Sequence, residues 1–313
     1  MKNFILKLTA FFIIQLLLIG WAIAPYRPNP DMFWAGTTLK HEILCRAQSP
    51  RIIFIGGSNV AFGVDSELIA NQLPYFPVNM GLDAGLGLDF SLNEIKDELR
   101  PGDIVVLSPE YEFFLGLRSG QESSLARVLE QRPANAHYLA VGNVTTLSDH
   151  GFGFFHWVFM NARKRLDRKK ITGPYSLSAF NEYGDAIAHL DRRPRPDKAA
   201  AMEAFQRTPL DDSTLGVLNR FRAFCQRRNV ELYLSHPPLP AYYAERQSRL
   251  AEVEQRIYQR VSIPVLDKQP DMFFPIDQFY DTEYHLLRKA RDIRTRHLIA
   301  ALRNQLAARL AQP

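Results

Sequence analysis

The chain has only two cysteines in its 313 residues, Cys45 and Cys225, and they stand far apart. That scarcity excludes a disulfide-built scaffold and gives no metal-ligand spacing. One disulfide between them or two isolated thiols both stay open. Glycine-rich phosphate patterns are missing where they would matter: the turn Gly56-Gly57-Ser58-Asn59 has neither G-x-G-x-x-G spacing nor a G-K-[ST] ending, which argues against a dinucleotide or P-loop cradle. No internal repeat is visible. Neither sign of charge dominates, since 38 basic and 33 acidic residues leave a formal +5. With 23% charged and 46% hydrophobic residues the composition is that of an ordinary folded protein, not a disordered one.

One long apolar run is present, at the start. Lys2 and Lys7 flank Leu8 to Ala24, which carries no charged side chain. With Phe4 to Leu6 it approaches the ~20 apolar residues needed to cross a bilayer core. A helix pairs its own backbone groups inside lipid, and the lysines favour a cytoplasmic N-terminus. Residues 1–24 are therefore expected to be a signal anchor. The protein would be single-pass, with its main domain periplasmic or extracellular and membrane lipid as one partner. Ala22-Ile23-Ala24 has the small-x-small form of a cleavage site, but Pro25 follows it and is expected to block cleavage. Nucleic acid is not an expected partner of an exported domain.

Residues 25–50 are Pro-rich and then polar, and read as a juxtamembrane linker with a short helix near Thr38–Ala47. From Arg51 strands and helices alternate. Strands are expected at Ile52–Ile55, Phe76–Met80, Asp103–Ser108, Val230–Leu234 and Ile263–Leu266. Helices are expected at Asp65–Leu73, Leu88–Leu99, Leu215–Arg228, Ala241–Arg260 and Leu286–Leu310. This order implies an α/β fold with a central parallel sheet. Residues of about 113–213 interrupt the alternation and read as a mostly helical insertion. It holds the aromatic cluster Phe152–Phe159 around Trp157 and the basic runs Arg163–Lys170 and Arg192–Lys198.

Two segments could carry chemistry. Gly56-Gly57-Ser58-Asn59 lies between the first strand and a helix, where small residues let a serine hydroxyl project from the carboxyl edge of the sheet. Just before the last helix, Asp281 is close enough in sequence to His285 to orient its imidazole, and histidine is the side chain best suited to proton transfer near neutral pH. Glu110, Tyr111 and Glu112 follow the third strand and His236 follows the fourth, all at the same edge. Glu110, Tyr111, His236 and Asn59 are expected to line the substrate. His150, His156 and His189 in the insertion form no metal pattern, so no metal and no cofactor is expected.

Together, the G-G-S-N turn and the D-x-x-x-H-L segment resemble the SGNH or GDSL hydrolase superfamily, over about Arg51 to Leu302. The resemblance implies an α/β three-layer sandwich and a Ser58–His285–Asp281 mechanism. It also implies oxyanion donors at the Ser58, Gly85 and Gly81 N–H groups, the glycines coming from Asn79-Met80-Gly81-Leu82-Asp83-Ala84-Gly85. Three departures stand out: Gly57 replaces the usual aspartate, Ser108-Pro109-Glu110 replaces a G-x-N-D block, and the Asp-to-His spacing is one residue long. Similar departures occur in membrane-tethered relatives that work in alginate O-acetylation and D-alanine transfer beside a membrane-bound O-acyltransferase. The resemblance thus implies an acyl-ester hydrolase or O-acyltransferase acting on an acyl ester or glycan substrate, such as a cell-surface polysaccharide or lipid-linked glycan. The alternative is a non-catalytic accessory protein that binds exported polysaccharide or the acyltransferase.

Overall fold

The apolar run after Arg51 forms the central strand. In the computed structural model, which describes residues 2–23, 28–148, 170–195 and 208–310, β1 (Arg51–Gly56) is buried along its whole length. β2 (Phe76–Asn79) and β3 (Ile104–Ser108) flank it, and β4 (Glu231–Leu234) pairs with β3. All pairings in this sheet are parallel, in the order β2-β1-β3-β4. The fifth expected strand, Ile263–Leu266, contributes a single parallel bridge between Val265 and Leu234. A second, two-stranded sheet pairs β5 (Leu239–Pro240) with β6 (Phe273–Phe274).

Alternation along each strand sends side chains to two faces. Ile53, Ile55, Val105, Leu107, Leu232 and Leu234 pack into one core with Leu44 of α2 (Gly36–Arg46), Leu92 and Ile95 of α5 (Gly87–Lys96) and Phe221 of α8 (Ser213–Arg227). Val253 of α9 (Gln247–Arg260) joins the same core. Ile52, Phe54, Ile104, Val106 and Tyr233 face the other way. They meet Val60 of α3 (Ser58–Gly63), Ile69 of α4 (Ser66–Ala70) and Leu298 and Leu302 of α10 (Arg288–Leu310). Each such large apolar side chain, fully buried, contributes about 1.5–3 kcal/mol. Asp65 caps α4 as expected, accepting from the Leu68 N–H at 3.0 Å.

Two expectations about organisation change. Residues 25–50 are not a linker where they are described: Phe33, Trp34, Lys40, His41 and Leu44 are buried. The helix expected at Thr38–Ala47 is α2, and its apolar residues cover the sheet. Among the described residues of the insertion, which is expected to be mostly helical, α6 (Glu122–Gln131) and α7 (Val141–Ser148) are helices. Residues 170–195 form an irregular strap with one short 3-10 turn at Leu177–Ala179, bridging Ser176 to Met32 and Phe180 to Ala186. Its Asp185 accounts for this docking: the buried carboxylate accepts from Ser66 N, Ser66 Oγ, Asn79 Nδ2 and Arg291 Nη2 at 2.7–3.0 Å. A helix has no such set of core donors to satisfy. His150, His156, Trp157 with its aromatic cluster, most of the basic run Arg163–Lys170 and the last three residues of Arg192–Lys198 lie outside the described residues.

α1 (Lys2–Ile23) is one continuous helix, and Phe4, Leu8, Phe11, Phe12, Ile13, Ile14 and Leu16 to Leu18 are exposed on it. Among the described residues, no helix is long and apolar enough to cross a membrane. The unbroken stretch of α1 whose side chains are described is Lys7–Leu18. Cys45 and Cys225 are free thiols.

The first strand is fastened at its start by Arg51, which is fully buried with Asp103. Its Nε donates to Asp103 Oδ1 at 3.1 Å, and its other nitrogens donate to the carbonyls of Leu44 and Glu98 at 2.6 Å. Removing one partner of such a pair strands a buried charge. Arg51→Met is expected to lower unfolding stability by about 3–5 kcal/mol, read from urea denaturation.

Candidate active site

In the sheet order, β1 connects outward to β2 on one side while β3 lies on the other, so the chain reverses direction between β1 and β3. Open α/β sheets bind ligands outside the carboxyl ends of the strands at such a switch point. Register then decides which side chains meet there. Gly56 of β1 pairs with Ser108 of β3, so the residues two further on, Ser58 and Glu110, emerge side by side. The Glu110 carboxylate accepts from the Asn59 N–H at 2.7 Å, from Asn59 Nδ2 at 3.2 Å and from Ser58 Oγ at 3.4 Å.

Gly57 makes this approach possible. A Cβ there would lie 2.5 Å from Glu110 Oε2, so the space beside the turn is filled by a carboxylate from β3 instead of a side chain at 57. Burial is the main reason Glu110 is pushed up to about 8; the Glu112 and Asp83 carboxylates add to the shift, and the Asn59 hydrogen bonds oppose it. Burial likewise pushes Glu112 up to about 7 against the hydrogen bond that its Oε2 accepts from Tyr284 Oη at 2.8 Å.

Asn59 is fully buried and has no room for substrate. Its Nδ2 donates to the Ser108 carbonyl at 3.0 Å and its Oδ1 accepts from Ser108 Oγ and Arg294 Nη2, both at 3.1 Å. Arg294 also donates to the Asn59 carbonyl at 2.7 Å and to Ser108 Oγ at 2.9 Å. Burial pulls this guanidinium down to about 10, so it remains charged. Asn59 therefore positions the turn instead of lining substrate, as had been expected.

Asp281 and His285 are brought together as the spacing implied. Asp281 Oδ1 lies 2.7 Å from His285 Nδ1, which leaves Nε2 to accept a proton. Nε2 is buried and makes no hydrogen bond among the described residues. The imidazole stacks on Phe62, with ring centroids 3.9 Å apart at 12°. Phe62 follows Ser58 by four residues in α3, one turn along the same helix face. The described contacts of Ser58 Oγ run to Glu110, not to His285. Burial works to raise the Asp281 carboxyl, but hydrogen bonds from His285 and Tyr175 win and hold it below the usual range.

Tyr175, on the strap, donates to Asp281 Oδ2 at 2.6 Å and lies 3.3 Å from His285 Nδ1. Nothing in the sequence marks it, because the contact spans more than a hundred residues of chain. His189, also on the strap, is buried behind the site with Nε2 at 2.8 Å from the Leu286 carbonyl, and burial pulls it down to about 4.

Four other expected site residues are placed elsewhere or otherwise engaged. The Gly85 N–H donates to Asp83 Oδ1 at 2.7 Å and the Gly81 N–H to Asn79 Oδ1 at 3.1 Å, so neither is a free oxyanion donor. In both cases a side chain two residues upstream captures the amide, as Asn and Asp do in tight turns. Tyr111 and His236 line a separate small cavity with Pro109, Phe114 and Tyr258. There His236 is clamped, its Nδ1 2.7 Å from Asp267 Oδ1 and its Nε2 3.3 Å from Glu254 Oε1. A histidine at a strand end looks like a substrate ligand until its partners are known.

Among the described residues one donor set comes close enough for an ion, His41, Cys45 and Glu98, within 4.8 Å of one another. Arg132 acts on both His41 and Cys45, and Arg100 on Cys45, so positive charge opposes a cation there. A scan against protein-family models and a search of curated proteins found no match for the chain.

Burial lowers the His236 affinity for a proton, but the hydrogen bonds and charges of Asp267 and Glu254 outweigh it and push the imidazole up to about 9. Its folded value is above its unfolded one, so its contribution is complete below about pH 6.5 and is lost as pH rises through about 9. Replacing His236 by Gln is expected to flatten the fall in urea-unfolding stability over that window. The difference between the two proteins should be on the order of 3 kcal/mol.

Proposed function

We propose that the chain is a membrane-anchored, extracytoplasmic acyl-ester hydrolase or O-acyltransferase with an SGNH-like fold, acting on a cell-surface polysaccharide or lipid-linked glycan. The observation that carries this reading is the Asp281–His285 pair with its buried, unpartnered Nε2 among the described residues, its imidazole stacked on Phe62 one helix turn from Ser58. A serine at the carboxyl edge of the sheet and a histidine oriented by a carboxylate are parts that acyl transfer requires. Ser58 Oγ attacks the ester carbonyl and passes its proton to His285 Nε2. Asp281 holds the imidazole in the tautomer with Nδ1 protonated and stabilises the imidazolium. His285 then protonates the leaving alcohol. Water resolves the acyl-enzyme in hydrolysis, and a sugar hydroxyl does so in transfer.

Reaching His285 requires the Ser58 hydroxyl to leave Glu110. The engaged Gly81 and Gly85 amides favour a second reading, a non-catalytic accessory protein that uses the same crevice to bind polysaccharide or a membrane-bound O-acyltransferase. A fluorophosphonate probe separates the two. The catalytic reading expects covalent labelling that is lost in Ser58→Ala and slowed at least about 10³-fold in His285→Ala. Equal, Ser58-independent labelling of all three proteins leaves the accessory reading.

The anchor reading rests on the uncharged apolar run Leu8–Ala24 with Lys2 and Lys7 toward its N-terminal end, a charge bias that favours a cytoplasmic N-terminus. Full-length protein is expected to stay with membranes after a carbonate wash. Protein lacking residues 2–23 is expected in the supernatant, and its retention on membranes would sink the anchor.

A further inference from the structure

This inference rests on the acyl-transfer reading above and concerns the negative charge that the reaction creates. Attack on an ester moves the carbonyl electron pair onto oxygen, and each donor aimed at that oxygen is worth about 10²–10³ in rate. Around Ser58 such donors are scarce. The Gly81 and Gly85 amides serve Asn79 and Asp83. The Asn59 N–H serves Glu110, and its Nδ2 serves Ser108 and Glu110. Arg294 is sealed behind Asn59 and Ser108. The Ser58 N–H, at the first helical position of α3, has no intrahelical partner and is not taken by Glu110.

Glu110 stands over the same turn. Its Oε1 accepts both Asn59 donors, so a proton on this carboxyl belongs on Oε2. Oε2 makes no hydrogen bond among the described residues and lies against the bare side of Gly57, one residue before Ser58.

We propose that Glu110 works as a neutral carboxylic acid, holding the Asn59 N–H through Oε1 and donating its Oε2–H to the oxyanion formed at Ser58. As the bond from Ser58 Oγ to the carbonyl carbon forms, the Oγ proton goes to His285 Nε2 and the oxyanion takes a hydrogen bond from Glu110. The acid keeps its proton throughout. When the intermediate collapses, the electron pair returns to the carbonyl and the leaving alkoxide takes the proton from His285. A buried acid kept neutral so that it can donate is an established device in enzymes. The groups facing Glu110 fit this role. Glu112 and Asp83 disfavour its charge, as does its burial, while Arg294 favours the charge from behind Asn59; Tyr284 is a neutral phenol.

The test uses full-length protein in detergent micelles, p-nitrophenyl acetate as substrate and the fluorophosphonate as titrant of Ser58. Wild-type kcat is expected to fall as pH rises through about 8. Glu110→Gln keeps both an acceptor for Asn59 and an N–H donor. It is expected to retain activity within about tenfold and to lose that alkaline fall. Glu110→Ala is expected to lose about 10²–10³-fold in kcat. Should Glu110→Ala prove unfolded by circular dichroism, the Gln variant and the wild-type profile still decide. A wild-type rate that rises through pH 8, with Glu110→Gln inactive, would make Glu110 a base and overturn the proposal. Equal losses in the two variants would overturn it as well. Absence of Ser58 labelling in the wild type would instead overturn the acyl-transfer reading on which it rests.

Discussion

The buried guanidinium of Arg294 is the constraint around which the crevice is built. A charge sealed from water must be met by acceptors with good geometry. Here they are the Asn59 carbonyl, the Asn59 side chain and Ser108 Oγ, which lie at the ends of β1 and β3. α10 can dock in only one rotation and height if all of these bonds are made. Since His285 lies just ahead of α10, the same docking sets where its imidazole sits relative to α3. One interaction thus couples the turn that carries Ser58, the strand end that carries Glu110 and the segment that carries the Asp281–His285 pair.

The strap at residues 170–195 completes what that coupling leaves open. Asp185 ties it to Ser66, Asn79 and Arg291, and Lys40, itself fully buried, donates to the carbonyls of Asn79 and Gly184. Burial pulls Lys40 down to about 7, with Asp185 and Glu94 opposing the shift. So held, the strap places Tyr175 on Asp281 and His189 behind His285. The imidazole is thereby fixed by Phe62 on its face and by Asp281 and Tyr175 at Nδ1.

Electrostatically the crevice is a place where carboxyls are kept from ionising. Glu110 is buried and Glu112, two residues on, is partly so, and desolvation pushes both upward. Asp281 is the exception because two donors meet its two oxygens. A carboxyl pushed upward beside one held down is the separation expected where one carboxyl donates a hydrogen bond and another orients a base.

Much of this was legible in the chain. Apolar β-branched runs ending on glycine, and amphipathic stretches between them, determined the α/β alternation, because period and burial are local properties. The i, i+4 spacing of Asp281 and His285 determined their pairing for the same reason. Tertiary structure alone decided that Phe33, Trp34 and Leu44 ahead of Arg51 are buried, that residues 170–195 form an irregular strap, and that His236 is clamped in a separate cavity. It also decided that Gly81 and Gly85 give their amides to neighbouring side chains, and that Glu110 fills the space left by Gly57. The two glycine amides are captured by side chains two residues away, but the other features depend on which residues meet from distant parts of the chain. Sheet register and the partners demanded by buried charge set those meetings, and neither can be read from composition or spacing.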